Sequence, residues 1–178
     1  QFLPDPMSAE LRLALIAAAP SAATSSNLQL WSVIEVDDPE RREQIAVLCS
    51  DQKQVRTAAW FLAFIADHHR LRQAAAAVGE EALGLDYAEF CLMSIIDATL
   101  AAERMVAAAE TLGIGTCYIG ALRNHPDAIK ELLGLPAGTF GVFGLCLGYP
   151  EEPMSAEVKP RLGQDAVWFR ERYDADVS

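Results

Sequence analysis

The sequence has little positive charge. It carries 14 Lys and Arg residues against 25 Asp and Glu, which gives a formal net charge of −11 at pH 7 and a pI of about 4.6. The basic residues form no run along the chain. Proteins that bind nucleic acids or anionic membrane surfaces attract them with clusters of Lys and Arg. We therefore expect neither a nucleic acid nor a membrane among the partners of this chain.

The chain is also poor in residues that bind metals, with 4 Cys and 3 His. No Cys pair and no Cys and His have the spacing of a metal site, and nothing completes a site around His68 and His69. The pattern predicts free, buried thiols in a reducing cytoplasm, solvated histidines and no bound metal. The thiols concerned are Cys49, Cys91, Cys117 and Cys146.

No uninterrupted apolar run is long enough to cross a membrane, which takes roughly 20 residues. The longest apolar stretch, residues 86–112, is rich in helix-forming Ala, Leu and Met, but charged residues interrupt it. Its apolar positions predict a central helix that is buried on several sides and ends at Gly113. Asp97, in its middle, has no His, Lys or second carboxylate near it in sequence. We predict that Asp97 is a hydrogen-bonded structural carboxylate rather than a general acid.

A chain of 178 residues suits one domain with its own core, and we assign residues 1–178 to a single domain. Hydrophobic periodicity and capping residues predict helices at 8–19, 39–49 and 126–133, with part of 67–84 helical as well. Apolar and β-branched runs predict strands at 31–36, 59–66, 116–119 and 139–147. Strands that alternate with helices indicate a layered α+β or α/β domain.

Two polar stretches are candidates for ligand binding. Residues 24–29, Thr-Ser-Ser-Asn-Leu-Gln, offer three hydroxyls and two amides. They form either a capped turn or a set of neutral donors and acceptors for a heteroaromatic or polyol ligand. Lys159 and Arg161 flank a proline in an extended segment. These two cations are either solvated or a clamp for a phosphate.

The segment Gly113–Gly120 contains closely spaced glycines but does not match a dinucleotide-binding fingerprint. That fingerprint needs Gly at its sixth position, where this chain has Tyr118. It also follows a strand and opens a helix, whereas here a helix precedes the glycines and a strand follows them. The segment is either a plain helix stop or a place where backbone groups approach a flat ligand beside Gly120.

Taken in order, these stretches resemble one family, the NADPH-dependent, FMN-containing, oxygen-insensitive nitroreductases and their flavin-reductase relatives. The resemblance covers nearly the whole chain and depends on the order and spacing of its parts. The parts are residues 2–6, Thr24-Ser-Ser-Asn-Leu-Gln29 with Trp31-Ser32, Gln52-Lys-Gln-Val55, residues 101–112 with Gly113-Ile-Gly-Thr-Cys-Tyr-Ile-Gly120, Leu122-Arg-Asn124, Phe143-Gly-Leu-Cys-Leu-Gly-Tyr-Pro150 and Val158-Lys-Pro-Arg-Leu162.

The resemblance implies an α+β layered fold, with a central, mainly antiparallel sheet packed by helices around a long buried helix. It also implies a homodimer with FMN at the dimer interface. The residues that would contact the flavin or its ribityl chain are Thr24, Ser25, Ser26, Asn27 and Gln52. Those that would line the isoalloxazine ring through backbone groups are Tyr118, Ile119, Gly120 and Ala121, the last commonly Gly in relatives. Those that would hold the phosphate are Lys159 and Arg161.

The resemblance also implies an activity, that of an FMN-dependent oxidoreductase with NAD(P)H, more specifically NADPH, as co-substrate. Two-electron hydride transfer in a ping-pong mechanism would reduce nitroaromatics, quinones or free flavin, with the flavin rather than a catalytic side chain carrying the chemistry. Relatives have a basic Arg-Ser-x-Arg arm before the position of Gln1 and helices beyond that of Ser178, so we expect both to be missing here. Two other interpretations stay open, a flavin-binding relative without activity and a plain α/β interaction domain.

Overall fold

The computed structural model describes residues 2–151 and 158–176. Its helices are α1 (Ala9–Ala18), α2 (Pro39–Leu48), α3 (Lys53–Thr57), α4 (His69–Ala77), α5 (Ala88–Thr111) and α6 (Pro126–Leu132). Its strands are β1 (Trp31–Glu35), β2 (Trp60–Asp67), β3 (Gly115–Ile119) and β4 (Thr139–Gly148). No helix within these ranges combines the length and the apolar character that a membrane crossing requires.

The strands form an antiparallel sheet in the order β1-β2-β4-β3. The central pair, β2 and β4, runs from Trp60 opposite Leu147 to Asp67 opposite Thr139. The outer strands β1 and β3 are the two edges of the sheet. The predicted α+β architecture with a mainly antiparallel sheet is confirmed, and each predicted strand lies within one residue of its observed bounds.

Alternate residues of β2 face two separate helical layers. Trp60 and Leu62 belong to the cluster that contains the buried residues of α1 and α5. Phe61 and Ala63 belong to the cluster that contains those of α2 and α6. Successive side chains of a strand point to opposite faces, so a strand covered on both faces is apolar throughout. All eight residues of β2 are buried, and the seven before Asp67 are apolar, which explains the continuous apolar run in the sequence.

Helix α5 ends at the predicted glycine. Gly113 has a φ of +71°, a left-handed conformation that Gly adopts without the steric cost of a Cβ atom. Its N–H donates to the carbonyl of Glu110, and the N–H of Ile114 donates to that of Ala109. This pair of hydrogen bonds is the Schellman motif. It turns the chain directly from α5 into β3.

The prediction that α5 is buried on several sides is wrong for the single chain. Its buried residues, from Ser94 to Ala109, lie on the face that packs against the sheet. Another face exposes Leu92, Ile96 and Leu100, at 57%, 53% and 40%. Because these three are four residues apart, they form one stripe along the helix, which we call the α5 stripe. The helix therefore carries more apolar surface than its own chain covers.

Two further details differ from the sequence prediction. Cys91 is exposed and Cys117 is half-buried, whereas only Cys49 and Cys146 are buried, although all four are free thiols as predicted. Helix α3 is not predicted, because its five residues are too few to show a helical periodicity. Gln52 occupies the N-cap position of this short helix.

Candidate functional site

The loop that leads into β1 has an unusual backbone conformation. Ser26, Asn27 and Gln29 have φ angles of +50°, +55° and +52°. Left-handed conformations are disfavoured for residues with a Cβ atom, least so for Asn. The side chains of Ser25, Ser26 and Asn27 are exposed. The loop therefore presents two hydroxyls and one amide to its surroundings.

Asp97 of α5 anchors this loop from inside the protein. The side chain is 1% exposed, and its carboxylate accepts hydrogen bonds from Thr24 Oγ1 at 2.6 Å, the Ser25 N–H at 3.0 Å and the Leu30 N–H at 3.0 Å. Thr24 Oγ1 in turn accepts the N–H of Gln29 at 2.9 Å. The predicted structural role of Asp97 is confirmed. Thr24 differs from the other loop residues predicted to contact the flavin, because its hydroxyl already forms hydrogen bonds within the protein.

Arg70 of α4 provides a second anchor. Its guanidinium donates to the carbonyl oxygens of Gln29 and Trp31, each at 2.7 Å, and to Ser32 Oγ at 2.9 Å. The Ser32 hydroxyl donates to Asp67, a buried carboxylate 3.7 Å from the same guanidinium. Arg70 thus joins the end of the loop to both β1 and β2. Neither Arg70 nor Asp67 is identifiable as an anchor from the sequence.

The predicted turn Tyr118–Ala121 lies at the end of β3. Since β3 is an edge strand, the outer row of its N–H and C=O groups pairs with no strand among residues 2–151 and 158–176 and is available to a ligand. After Ile119 the chain forms the short helical turn Gly120–Arg123. A Cβ atom placed on Gly120 would meet only the Arg123 side chain among the described residues, at 3.4 Å. The space beside Gly120 is otherwise open.

Arg123 connects this turn to β4. Its guanidinium donates to the carbonyl of Val142, the residue that a bulge between β2 and β4 leaves without a strand partner. A buried carbonyl without a partner is costly, and Arg123 removes that cost. The sequence gives no sign of this role, because it depends on the position of the bulge.

Tyr118 turns its side chain back onto the fold. Its hydroxyl donates to Glu103 Oε2 at 3.0 Å, and its ring meets that of Phe143 edge-on with the centroids 5.1 Å apart. Burial, assisted by the hydrogen bond to Glu103, raises the pKa of Tyr118. The phenol therefore stays protonated at neutral pH and is not a base. The predicted ligand contact of this residue is through its backbone, although the residue is 40% exposed.

A cavity of about 800 Å³ opens beside the start of β3. Its size is within the range of about 300–1,000 Å³ typical of small-molecule sites. Its wall includes Phe2, residues 113–117, the two lysines Lys53 and Lys159, and the acidic Glu110. Two of the chain's few cations therefore converge on one concave surface, which suits an anionic group.

Some of the predicted site residues lie at this cavity, and others do not. Lys159 lines it, and Gln52 immediately precedes the lining residues of α3, which are Lys53, Gln54 and Thr57. Arg161 is exposed, and its guanidinium contacts the carbonyl of Lys159 at 2.9 Å rather than the cavity wall. Phe2, Lys53 and Gln54 line the cavity but are not among the predicted contacts, although all three lie in stretches that carry the resemblance.

The thiols near the site are unsuited to nucleophilic chemistry. Burial raises the pKa of Cys49 to about 11, and it also raises the pKa values of Cys117 and Cys146. Because the thiolate is the reactive form, these groups remain inert near neutral pH. Within residues 2–151 and 158–176, no three His, Cys, Asp or Glu side chains are grouped as a metal site would require.

The two polar candidates, the loop and the turn, lie at opposite edges of the sheet. The loop precedes β1, the turn follows β3, and β2 and β4 lie between them. With neighbouring strands about 4.8 Å apart, the edges are separated by about 14 Å. A single chain therefore does not bring Ser25–Asn27 and Tyr118–Ala121 to one flat ligand.

Comparison with known proteins identifies the family of this chain. Residues 1–149 match the description of the Nitroreductase family. An FMN reductase (NADPH) from Bacillus subtilis is 39% identical over 164 residues, which are 92% of this chain and 65% of that protein. A Cr(VI) reductase from a Pseudomonas strain is 40% identical over 172 residues, 97% of this chain and 70% of that protein.

Solved structures agree with the sequence relatives. The structure of the NfrA1 nitroreductase from Bacillus subtilis superposes with a TM-score of 0.95 at 37% identity, over 99% of this chain and 71% of that one. The chain spans 65% and 70% of the lengths of the two curated relatives. The matched family description covers more than four fifths of this chain, and nearly all of this chain superposes on part of that solved structure. This chain belongs to the nitroreductase family.

Proposed function

We propose that this chain is an FMN-dependent oxidoreductase that takes electrons from NAD(P)H, with NADPH the preferred donor. The electron acceptor is a nitroaromatic, a quinone or free flavin, reduced by two electrons at a time. The names of the relatives, an FMN reductase that uses NADPH and a Cr(VI) reductase, support a flavin-based reduction. The observation that carries the proposal is the cavity with Lys159 beside the free edge of β3.

The residues around this cavity fit FMN. A cavity of about 800 Å³ has room for a ring system with a phosphorylated side chain. Lys53 and Lys159 place positive charge in its wall, and Lys binds phosphate as a point charge. The unpaired edge of β3 supplies backbone donors and acceptors for the polar rim of a flat ring. Arg161, two residues after Lys159, would join the phosphate contact by turning its guanidinium away from the backbone.

FMN supplies two-electron chemistry when it is bound. The residues of the chain bind it, orient it and stabilise charge that develops on it. Neutral hydroxyl, amide and backbone N–H groups are suited to that last task, because preorganised donors stabilise developing negative charge without reorganising. Tyr118 stays protonated and Asp97 is committed to the loop. We therefore assign no acid or base role to a side chain.

We also propose that the chain forms a homodimer through the α5 stripe. Leu92, Ile96 and Leu100 are apolar, exposed and aligned, and continuous exposed apolar surfaces mark interfaces. A dimer also accounts for the separation between the loop and the turn. Ser25–Asn27 of a second copy would meet the cavity and β3 of the first, so that two chains complete each flavin site. Most soluble homo-oligomers are two-fold dimers of this kind.

The first test of the function is the flavin itself. We expect the purified chain to bind FMN without a covalent bond, because the cavity, the cations and the edge of β3 supply contacts to each part of the molecule. After heat denaturation the supernatant should show the visible absorption bands of a flavin and migrate as FMN in chromatography. A colourless protein that FMN does not reconstitute would contradict the proposal and favour the interaction domain. Bound FMN that NADPH does not reduce would favour the inactive relative.

The second test concerns the dimer. We expect sedimentation at micromolar concentration to give twice the chain mass of 19.3 kDa, and Ile96→Glu to give the single-chain mass, because a charge in an apolar interface is costly. The matched control is Val47→Glu, at a site on α2 that is 59% exposed and lies outside the stripe. It should remain dimeric. A folded monomer of the unaltered chain that still binds FMN would contradict the α5 stripe as an interface.

A further inference from the structure

We propose that Asp97 is a positioning residue of the flavin site. Its buried carboxylate holds Thr24–Leu30 in the conformation that presents Ser25, Ser26 and Asn27 to the flavin. This inference depends on the proposed function, because FMN is the ligand that these side chains would contact. Asp97 itself touches no ligand, since it is 1% exposed.

The contacts of Asp97 close the loop at both ends. Oδ2 accepts from Thr24 Oγ1 and from the N–H of Leu30, while Oδ1 accepts from the N–H of Ser25. Thr24 and Leu30 are therefore joined to one atom, although six positions separate them in the chain. All three partners are donors, so the group must act purely as an acceptor, as a carboxylate does.

The loop needs this restraint because its backbone is strained. Ser26, Asn27 and Gln29 all have left-handed φ angles, and such residues persist only when the surrounding structure fixes them. The anchors that fix them are the carboxylate of Asp97, which holds both ends of the loop, and the guanidinium of Arg70, which holds its second end as well. Without the carboxylate, the exposed side chains would lose their common orientation.

The decisive variant is Asp97→Asn, which preserves the size of the side chain. An amide has one acceptor oxygen and places an NH₂ group where the other carboxylate oxygen lies. At least one donor among Thr24, Ser25 and Leu30 then faces another donor. The matched control is Ser94→Ala, one turn earlier on α5. Ser94 is equally buried, but among the described residues its hydroxyl bonds only to the carbonyl of Cys91 in the same helix.

Two measurements read out the positioning role. In flavin-free protein, hydrogen exchange at the amides of Ser25 and Leu30 should accelerate in Asp97→Asn and not in Ser94→Ala, while exchange in β2 stays slow in both. In titrations, Asp97→Asn should bind FMN about tenfold more weakly or worse, the loss expected for one hydrogen bond to a charged group. Riboflavin should lose the same factor, because the contacts proposed for the loop are to the flavin ring or the ribityl chain and not to the phosphate.

The outcomes separate this inference from the proposed function. An unaltered chain that binds no flavin overturns both. Flavin binding by the unaltered chain with an equal affinity in Asp97→Asn overturns the positioning role alone. If Asp97→Asn unfolds before it can be titrated, the same titrations of Arg70→Ala test the inference. Arg70 is an anchor of the same loop and is largely exposed. We expect this variant to weaken FMN and riboflavin equally, by about threefold to tenfold, and unchanged affinity overturns the inference.

Discussion

Replacing Lys159 or Arg161 by Ala should weaken FMN binding by roughly ten- to a hundredfold. A hydrogen bond to a charged group contributes about 1.5–3 kcal/mol, and about 1.4 kcal/mol corresponds to a factor of ten in affinity. Lys159 lies in the cavity wall and Arg161 two residues further along the same exposed segment. Titration of the flavin-free variants with FMN and with riboflavin measures the effect.

Riboflavin is the internal control, because it has the same ring and no phosphate. Its affinity should hardly change in either variant, which distinguishes a lost phosphate contact from a disturbed ring site. Arg161→Lys should also lose affinity for FMN, since a point charge does not replace the planar guanidinium fork. The matched controls are Ala variants of two exposed cations elsewhere, Lys130 on α6 and Arg41 on α2. Both should bind FMN normally. Equal FMN affinity in Lys159→Ala and the unaltered chain would show that Lys159 is merely solvated.

Gly144→Ala should destabilise the fold by about 1–3 kcal/mol, the usual cost of overpacking a core. A Cβ atom at this position would lie 2.7 Å from two ring carbons of Phe61 and 3.2 Å from Cβ of Ile119. Phe61 is completely buried, so its ring has no space into which to move. For a chain of this size the melting temperature should fall by roughly 2–12 °C, at about 2–4 °C per kcal/mol.

The same substitution reaches the candidate site. Gly144 lies opposite Ile119 in the sheet, and Ile119 leads directly into the turn at Gly120. Gly144→Ala should therefore also weaken flavin binding at a temperature where the variant is still folded. Gly120→Ala is the control for stability, because its Cβ would make only an ordinary contact with the Arg123 guanidinium, at 3.4 Å, among the described residues. A Gly144→Ala protein that melts like the unaltered chain would contradict the observed packing at this position.

The local features of this fold could be predicted from the sequence alone. The strands are found within one residue of their predicted bounds, and the stop of α5 at Gly113 is the predicted one. These features depend on neighbouring residues: apolar runs bounded by turns, and a glycine able to adopt a positive φ. The family also follows from the order of short motifs, and the match over residues 1–149 confirms it. Which residues bind FMN remains a prediction.

The arrangement of the site depended on contacts between distant parts of the chain. Asp97 is identifiable in the sequence as an unusual carboxylate, but its partners begin 73 positions earlier, at Thr24. Lys53 and Lys159 meet in one cavity, and Arg123 reaches a carbonyl that a bulge exposes.

The exposure of the α5 stripe likewise depends on how distant parts of the chain pack together. Amino-acid composition predicts that an apolar helix is buried, but only the packing of the layers determines which of its faces the chain itself covers. Residue types and their spacing determined the elements of this protein and its family. The sheet order β1-β2-β4-β3, which places the loop and the turn at opposite edges, was decided by tertiary packing, because burial in the core is a property of the whole chain.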